Sequence, residues 1–158
     1  MIPKIKTFPT TKFIGKNLSF TYANYRAFEL WSRFMPRRKE IQNTIGKELF
    51  NIQINPEGFA FGPNESFVKW AAAAVSSFDL VPDEMGTFEI QEGLYAVFNY
   101  KGDQSNAAVF FKAIYTEWLP NSEFDLDARP QFEILGEKYK KDDSNSEEEI
   151  WIPIKKRF

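Results

Sequence analysis

A chain of 158 residues fits one domain and is long enough to bury a core without disulfides or metal. It has no cysteine and no histidine, which removes thiol nucleophiles, thiolate or imidazole metal sites and every imidazole-dependent triad, and leaves carboxylate, tyrosine and lysine chemistry. With 20 basic and 22 acidic side chains, the net charge of −2 gives no general drive toward nucleic acid or anionic membrane, and no cofactor or metal is expected.

The N-terminal run "MIPKIKTFPTTKF" has no apolar h-region, and no later stretch approaches the roughly 20 apolar residues that span a bilayer, so a cytoplasmic protein is expected. Alternation predicts a strand at 12–21, "KFIGKNLSFT". A helix follows from Asn24 as N-cap, with Ala27, Leu30, Trp31 and Phe34 on one stripe until Pro36 interrupts it. The basic "RRK" of Arg37–Lys39 reads as a solvated helix end. Residues 49–55, "LFNIQIN", alternate again as a strand. Segment 66–78, "SFVKWAAAAVSSF", is ambiguous because four consecutive alanines favour helix. Turn residues Pro82 and Gly86 mark a linker at 79–86, and strands follow at 87–91 and 94–100, "LYAVFNY". The second helix begins near Asp103, and its stripe of Ala107, Phe110, Phe111, Ile114, Tyr115 and Trp118 stops at Pro120. Strands at 131–135, "QFEIL", and 147–155, "EEEIWIPIK", complete the chain.

Read from Phe20, the order is "FTY", a helix, "LFNIQI", "FVKWAAAAV". Read from Phe98, it is "FNY", a helix, "QFEIL", "EIWIPI". Strand, helix, strand, strand therefore occurs twice, and the repeat makes 66–78 a strand. Within the last two strands, Phe132 and Ile134 point opposite to Gln131, Glu133 and Leu135, and Ile150, Ile152 and Ile154 point opposite to Glu149, Trp151 and Pro153. If the phenylalanine and isoleucine faces bury the helices, Glu133, Glu149, Leu135 and Trp151 share the other face. Spacing alone leaves two readings of that face, an ordinary wet side or the lining of a ligand cleft. Aromatic residues make up 17% of the chain, enough to fill a core and still present surface to flat ligands.

The run "EGLYAVFNYKG", a helix ending in Trp, "PQFEILGEKY" and "EEEIWIPI" resembles the GyrI-like small-molecule-binding domain, the effector-binding domain of AraC-type bacterial transcription activators, in its stand-alone form. In the first half, "LWSRF" and the order of elements agree. The resemblance implies an α+β fold of two pseudo-twofold strand–helix–strand–strand halves, about 1–80 and 84–158. Their antiparallel sheet would carry both helices on one side, with a ligand cleft between the halves. It also implies binding of hydrophobic, cationic aromatic compounds, with the family's acidic residue mapping onto Glu133. A second acid and an aromatic map onto Glu149 and Trp151, and helix aromatics onto Trp31, Phe111 and Tyr115. A carboxylate in such a pocket is costly until a cation pairs with it, and aromatic faces add cation–π attraction.

Two other functions fit the resemblance. One is hydrolysis of reactive electrophiles, with Glu133 as general base and Tyr115 or Tyr139 polarising the substrate. The other is inhibition of DNA gyrase through the acidic run "DDSNSEEE", Asp142 to Glu149, which otherwise reads as a solvated turn. Because Ile2 to Phe13 leaves no room for a helix-turn-helix, no direct DNA binding is expected. A DNA-binding function would come from a partner such as a transcription regulator.

Overall fold

The structure is a computed structural model that describes residues 1–136 and 145–158, apart from the side chains of Gln104 and Ser105. Among these, nine strands and two helices follow one another as β1 (Lys4–Phe8), β2 (Thr11–Phe20), α1 (Ala27–Phe34), β3 (Leu49–Ile54), β4 (Phe67–Val75), β5 (Gly86–Ile90), β6 (Gly93–Lys101), α2 (Gln104–Ala113), β7 (Phe124–Leu126), β8 (Gln131–Leu135) and β9 (Glu147–Lys156).

The helices start and stop for identifiable reasons. In α1 the stripe residues Leu30 and Phe34 are buried, and Glu29 bridges Arg26 and Arg33 on the exposed side, as residues three and four apart can. The expected cap lies too early: the Asn24 amide donates to the Thr21 hydroxyl in the preceding turn, and the helix begins at Ala27. Pro36 ends the α-helical hydrogen bonding but leaves the chain coiled as a 3-10 segment over Met35–Glu40, because its missing N–H falls in a first turn where no partner is needed. At α2, the Asp103 carboxylate accepts from the Asn106 amide at 3.3 Å as N-cap. A π-helical turn over Ile114–Trp118 follows the helix.

Segment 67–75 is a strand despite its four alanines. Tertiary packing overrides propensity here, because Ala71 and Ala73 lie under α1 while Ala72 and Ala74 enter the core on the opposite face. On the neighbouring β2, Gly15 has no Cβ to block the close approach of this strand: an added Cβ would stand 2.1 Å from the Ala71 carbonyl oxygen.

The main sheet runs β1-β6-β9-β8-β3-β4-β2-β5, with β7 on β9. Each repeat contributes three adjacent strands, β6-β9-β8 and β3-β4-β2. They join antiparallel through β8 and β3, and this juncture is the pseudo-twofold centre. There Trp70 opposes Ile52 as Trp151 opposes Phe132. The strand preceding each repeat crosses over, with β1 pairing β6 and β5 pairing β2. Alternation does not reveal β1, an edge strand on which Phe8 alone is buried, or the three-residue β7.

The sheet is strongly curled. Four strand spacings separate β1 from β3, about 19 Å if flat. The rings of Phe8 and Phe50 nevertheless lie 6.5 Å apart. The inner face of the curl encloses one core, which includes Phe8, Phe13, Phe50, Ile52, Trp70, Tyr95, Phe132 and Trp151. The outer face carries both helices over two further cores, α1 against Ile14, Ala71 and Val75 and α2 against Phe98, Ile150 and Ile152.

Candidate ligand site

Strands β3 and β8 form the strip of sheet between the two helices. On its outer face Asn51 stands opposite Glu133, and Gln53 opposite Gln131. Lys69 on β4 lies beside Gln53, and Glu148 on β9, two residues before Ile150, shares that residue's face. Asn51, Gln53, Lys69, Gln131 and Glu133 line a cleft together with Phe111 and Ile152. The cleft therefore has a polar floor inside an otherwise apolar sheet.

The register corrects the expected grouping of site residues. Glu133 pairs with Ile150, Ile134 with Glu149 and Phe132 with Trp151. Directly opposed residues share a face, so Glu133 and Leu135 lie on the helix side and Glu149 and Trp151 on the inner side. Alternation within each strand reads correctly, but the register between the strands is one residue away from the one assumed, and such a slip exchanges faces. Trp151 is 8% exposed, packs against Phe8, Tyr95 and Phe132, and donates its indole N–H to the Glu149 carboxylate at 3.1 Å. Its place is in the core.

Glu148, not Glu149, is the second acid of the cleft. The same alternation that aligns Ile150 and Ile152 also points Glu148 outward, which was a legible signal. Lys69 had a signal too, as a lone cation between Val68 and Trp70 in an apolar run.

The walls are aromatic, and their polar atoms are tied to the floor. The Trp31 indole N–H donates to Asn51 Oδ1 at 3.4 Å, and the Tyr115 hydroxyl to Gln131 Oε1 at 2.5 Å. Gln53 donates to the Tyr22 hydroxyl at 2.9 Å and Lys69 Nζ to the Tyr25 hydroxyl at 3.1 Å. Phe61 closes over Tyr115 with ring centroids 5.0 Å apart. Phe111 lines the cleft, and Leu135 opposes Leu49 beside α1. The space left between these groups is about 10 Å³, room for a single water.

Electrostatics on the floor are tightly coupled. Burial pushes the Glu148 carboxyl up to about 9, reinforced by the charge of Glu133 and a hydrogen bond to it, with Lys69 opposing. Burial alone would lower Lys69, but Tyr25 and Glu133 outweigh it and hold the ammonium above its ordinary range. Burial raises the Tyr115 phenol, which keeps it a neutral donor to Gln131. That bond commits Tyr115 away from the pairing with Glu133 considered for hydrolysis. Tyr139, and Asp142 to Ser144 of the acidic run, lie outside the described residues.

This duplicated α+β fold with a cleft between its halves defines a small-molecule-binding domain. The sequence profile of the GyrI-like small molecule binding domain matches residues 1–155, and the chain belongs to that family. The transcriptional regulator BrlR of Pseudomonas aeruginosa is 32% identical over 127 residues, 80% of this chain and 45% of the regulator, so the match spans less than half of that protein. Among solved structures, SAV2435 bound to tetraphenylphosphonium superposes with a TM-score of 0.72 at 14% identity, over 98% of this chain and 94% of SAV2435. EcmrR in its DNA complex gives 0.70 at 14% identity, over 97% of this chain and 57% of EcmrR. These structural likenesses establish the fold. Among the described residues no helix is long and apolar enough to cross a membrane.

Proposed function

We propose that the domain binds hydrophobic, cationic aromatic small molecules in the cleft between α1 and α2, as a sensor or sink. The observation that carries this reading is the position of Glu133, a carboxylate on the floor of a cleft walled by Trp31, Phe111 and Tyr115. Such a site selects by charge and flatness, because cation–π contacts and a partly desolvated carboxylate both favour a delocalised cation over a neutral molecule. The tetraphenylphosphonium held by SAV2435 supports the same ligand chemistry. Since the closed cleft has room for no more than a water, entry requires Tyr115, Phe61 and the Tyr22–Tyr25 pair to move aside, so binding involves opening. The likeness to regulators supports a role in which occupancy of the cleft is reported to a transcription-regulating partner.

Calorimetric titration with tetraphenylphosphonium and with neutral triphenylphosphine oxide tests the reading. The cation is expected to bind more tightly, and Glu133→Gln to lose most of that preference while keeping its melting temperature. Equal affinity for the two ligands would remove Glu133 from the site.

A further inference from the structure

Two carboxyl groups and one ammonium meet on the outer sheet face at the cleft floor, with Glu148 and Lys69 buried and Glu133 half-buried, which makes the charge balance of the empty site unusual for a cation receptor. Glu148 is 7% exposed and Lys69 is 5% exposed. Glu148 and Glu133 are hydrogen-bonded to each other from neighbouring strands. A buried carboxyl that meets a second carboxyl in this way resists ionising, so Glu148 keeps its proton. With Lys69 charged, the empty floor is already neutral: one ammonium, one carboxylate and one carboxylic acid. A cation entering this floor would leave an uncompensated buried positive charge, which is costly.

We propose that the cleft is a proton-for-cation exchanger: loading one monovalent organic cation expels the proton that buried Glu148 holds beside Glu133, and Lys69 stays in place as a fixed internal charge. The Glu148 O–H bond breaks, its electron pair remains on the carboxylate, and the proton passes to solvent. The occupied floor then holds two cations and two carboxylates and is again neutral. This inference rests on the proposed function and adds the regulation of that site by pH.

The groups facing the carboxyl pair leave Glu148 as the proton donor. They are Lys69 from β4, Tyr100 opposite Glu148 on β6, Tyr115 from the π-helical turn after α2, and Tyr22 and Tyr25 from the segment before α1. Asp103 at the N-terminus of α2 is further out, its carbonyl accepting from the Tyr100 hydroxyl. The chain has no histidine. Phenols and ammonium groups in general ionise on the alkaline side of neutrality, so among the described cleft residues the Glu148 carboxyl is the group that can give up a proton when a cation enters. Burial and Glu133 together hold Glu148 up at about 9, in keeping with the geometry.

The test uses tetraphenylphosphonium, whose charge is independent of pH, titrated calorimetrically into the intact chain in buffers of different ionisation enthalpy. Release approaching one proton per cation is expected, with affinity rising about tenfold per unit between about pH 6 and pH 8. Triphenylphosphine oxide should release none. Infrared difference spectra need no variant: the protonated-carboxyl C=O band should be present in the free protein at neutral pH and disappear on adding the cation. Glu148→Gln, which cannot form the second carboxylate, should bind the cation at least tenfold more weakly than the wild type at pH 8, without proton release and with a flat pH profile. Cation binding with no proton release overturns the exchange and leaves the cation-binding reading intact. Absence of cation binding at every pH overturns both.

Discussion

Lys69 donates to the Tyr25 hydroxyl at 3.1 Å while its ammonium lies 5.6 Å from the centre of the same ring, so a buried cation ties the cleft floor to the segment that leads into α1. The contact gives the site an internal competitor for any cationic ligand. Lys69→Met is therefore expected to tighten tetraphenylphosphonium binding by about tenfold, or ~1.4 kcal/mol. It should also cost about 1–3 kcal/mol of stability, because Tyr25 loses its donor and the carboxyl pair its cation. Calorimetry and denaturant melts on one preparation measure both, and unchanged or weaker binding would show that the lysine does not compete.

Stability should fall as pH rises through the neutral range. The Glu148 carboxyl is raised from 4.5 to about 9 in the fold, chiefly by burial and then by Glu133. An acid raised in this way binds more protons folded than unfolded between those two values, so folding loses stability from the lower value up to the higher and then levels off. Glu148→Gln removes the cost of ionisation. It is expected to exceed the wild type by roughly 1–3 kcal/mol at alkaline pH and to match it below the unfolded-state pKa. Urea midpoints that stay level between those two values would show that the carboxyl ionises freely.

Trp151 should behave as a core residue. Its ring stacks on Phe132 at 5.4 Å and meets Phe8 edge-on at 5.3 Å, on the sheet face turned away from the helices. Trp151→Ala is expected to cost about 3–5 kcal/mol, while the folded fraction keeps its cation affinity within about twofold, ~0.4 kcal/mol. A stable variant with lost binding would return Trp151 to the ligand.

Phe61 sits in the left-handed region at φ 60° and lays its ring on Tyr115 and Phe59. That backbone conformation is strained for a bulky residue, and the ring contacts hold it over the cleft. Phe61→Gly relieves the strain and removes the cover together, so association should quicken several-fold, since conformational opening slows binding. Stopped-flow fluorescence would register an unchanged rate if Phe61 takes no part in opening.

Much of the candidate site could be read from the sequence, but its grouping could not. Glu133 and Phe111 line one cleft, Trp31 and Tyr115 are hydrogen-bonded to Asn51 and Gln131 on its floor, and the order of elements makes a strand of the alanine run. Glu149 and Trp151 were misplaced because a strand's own alternation says which residues oppose each other within it and nothing about which face meets the neighbouring strand's acids. Glu148 and Lys69 went unrecognised for a related reason. A charged residue in an apolar strand is legible as unusual, but its partners come from strands far away in sequence.

The sequence by itself determined the twofold succession of strand, helix, strand and strand, the inward stripes of both helices and the absence of imidazole and thiol chemistry, because periodicity and composition are local properties of the chain. Only the tertiary structure decided that β8 sits one residue over on β9, that the sheet curls until Phe8 reaches Phe50, and that Glu133, Glu148 and Lys69 converge on one floor. Those outcomes depend on strand register, and register is set by which side chains fill the closed core, Phe132 against Trp151 above all, across separations that no local pattern records.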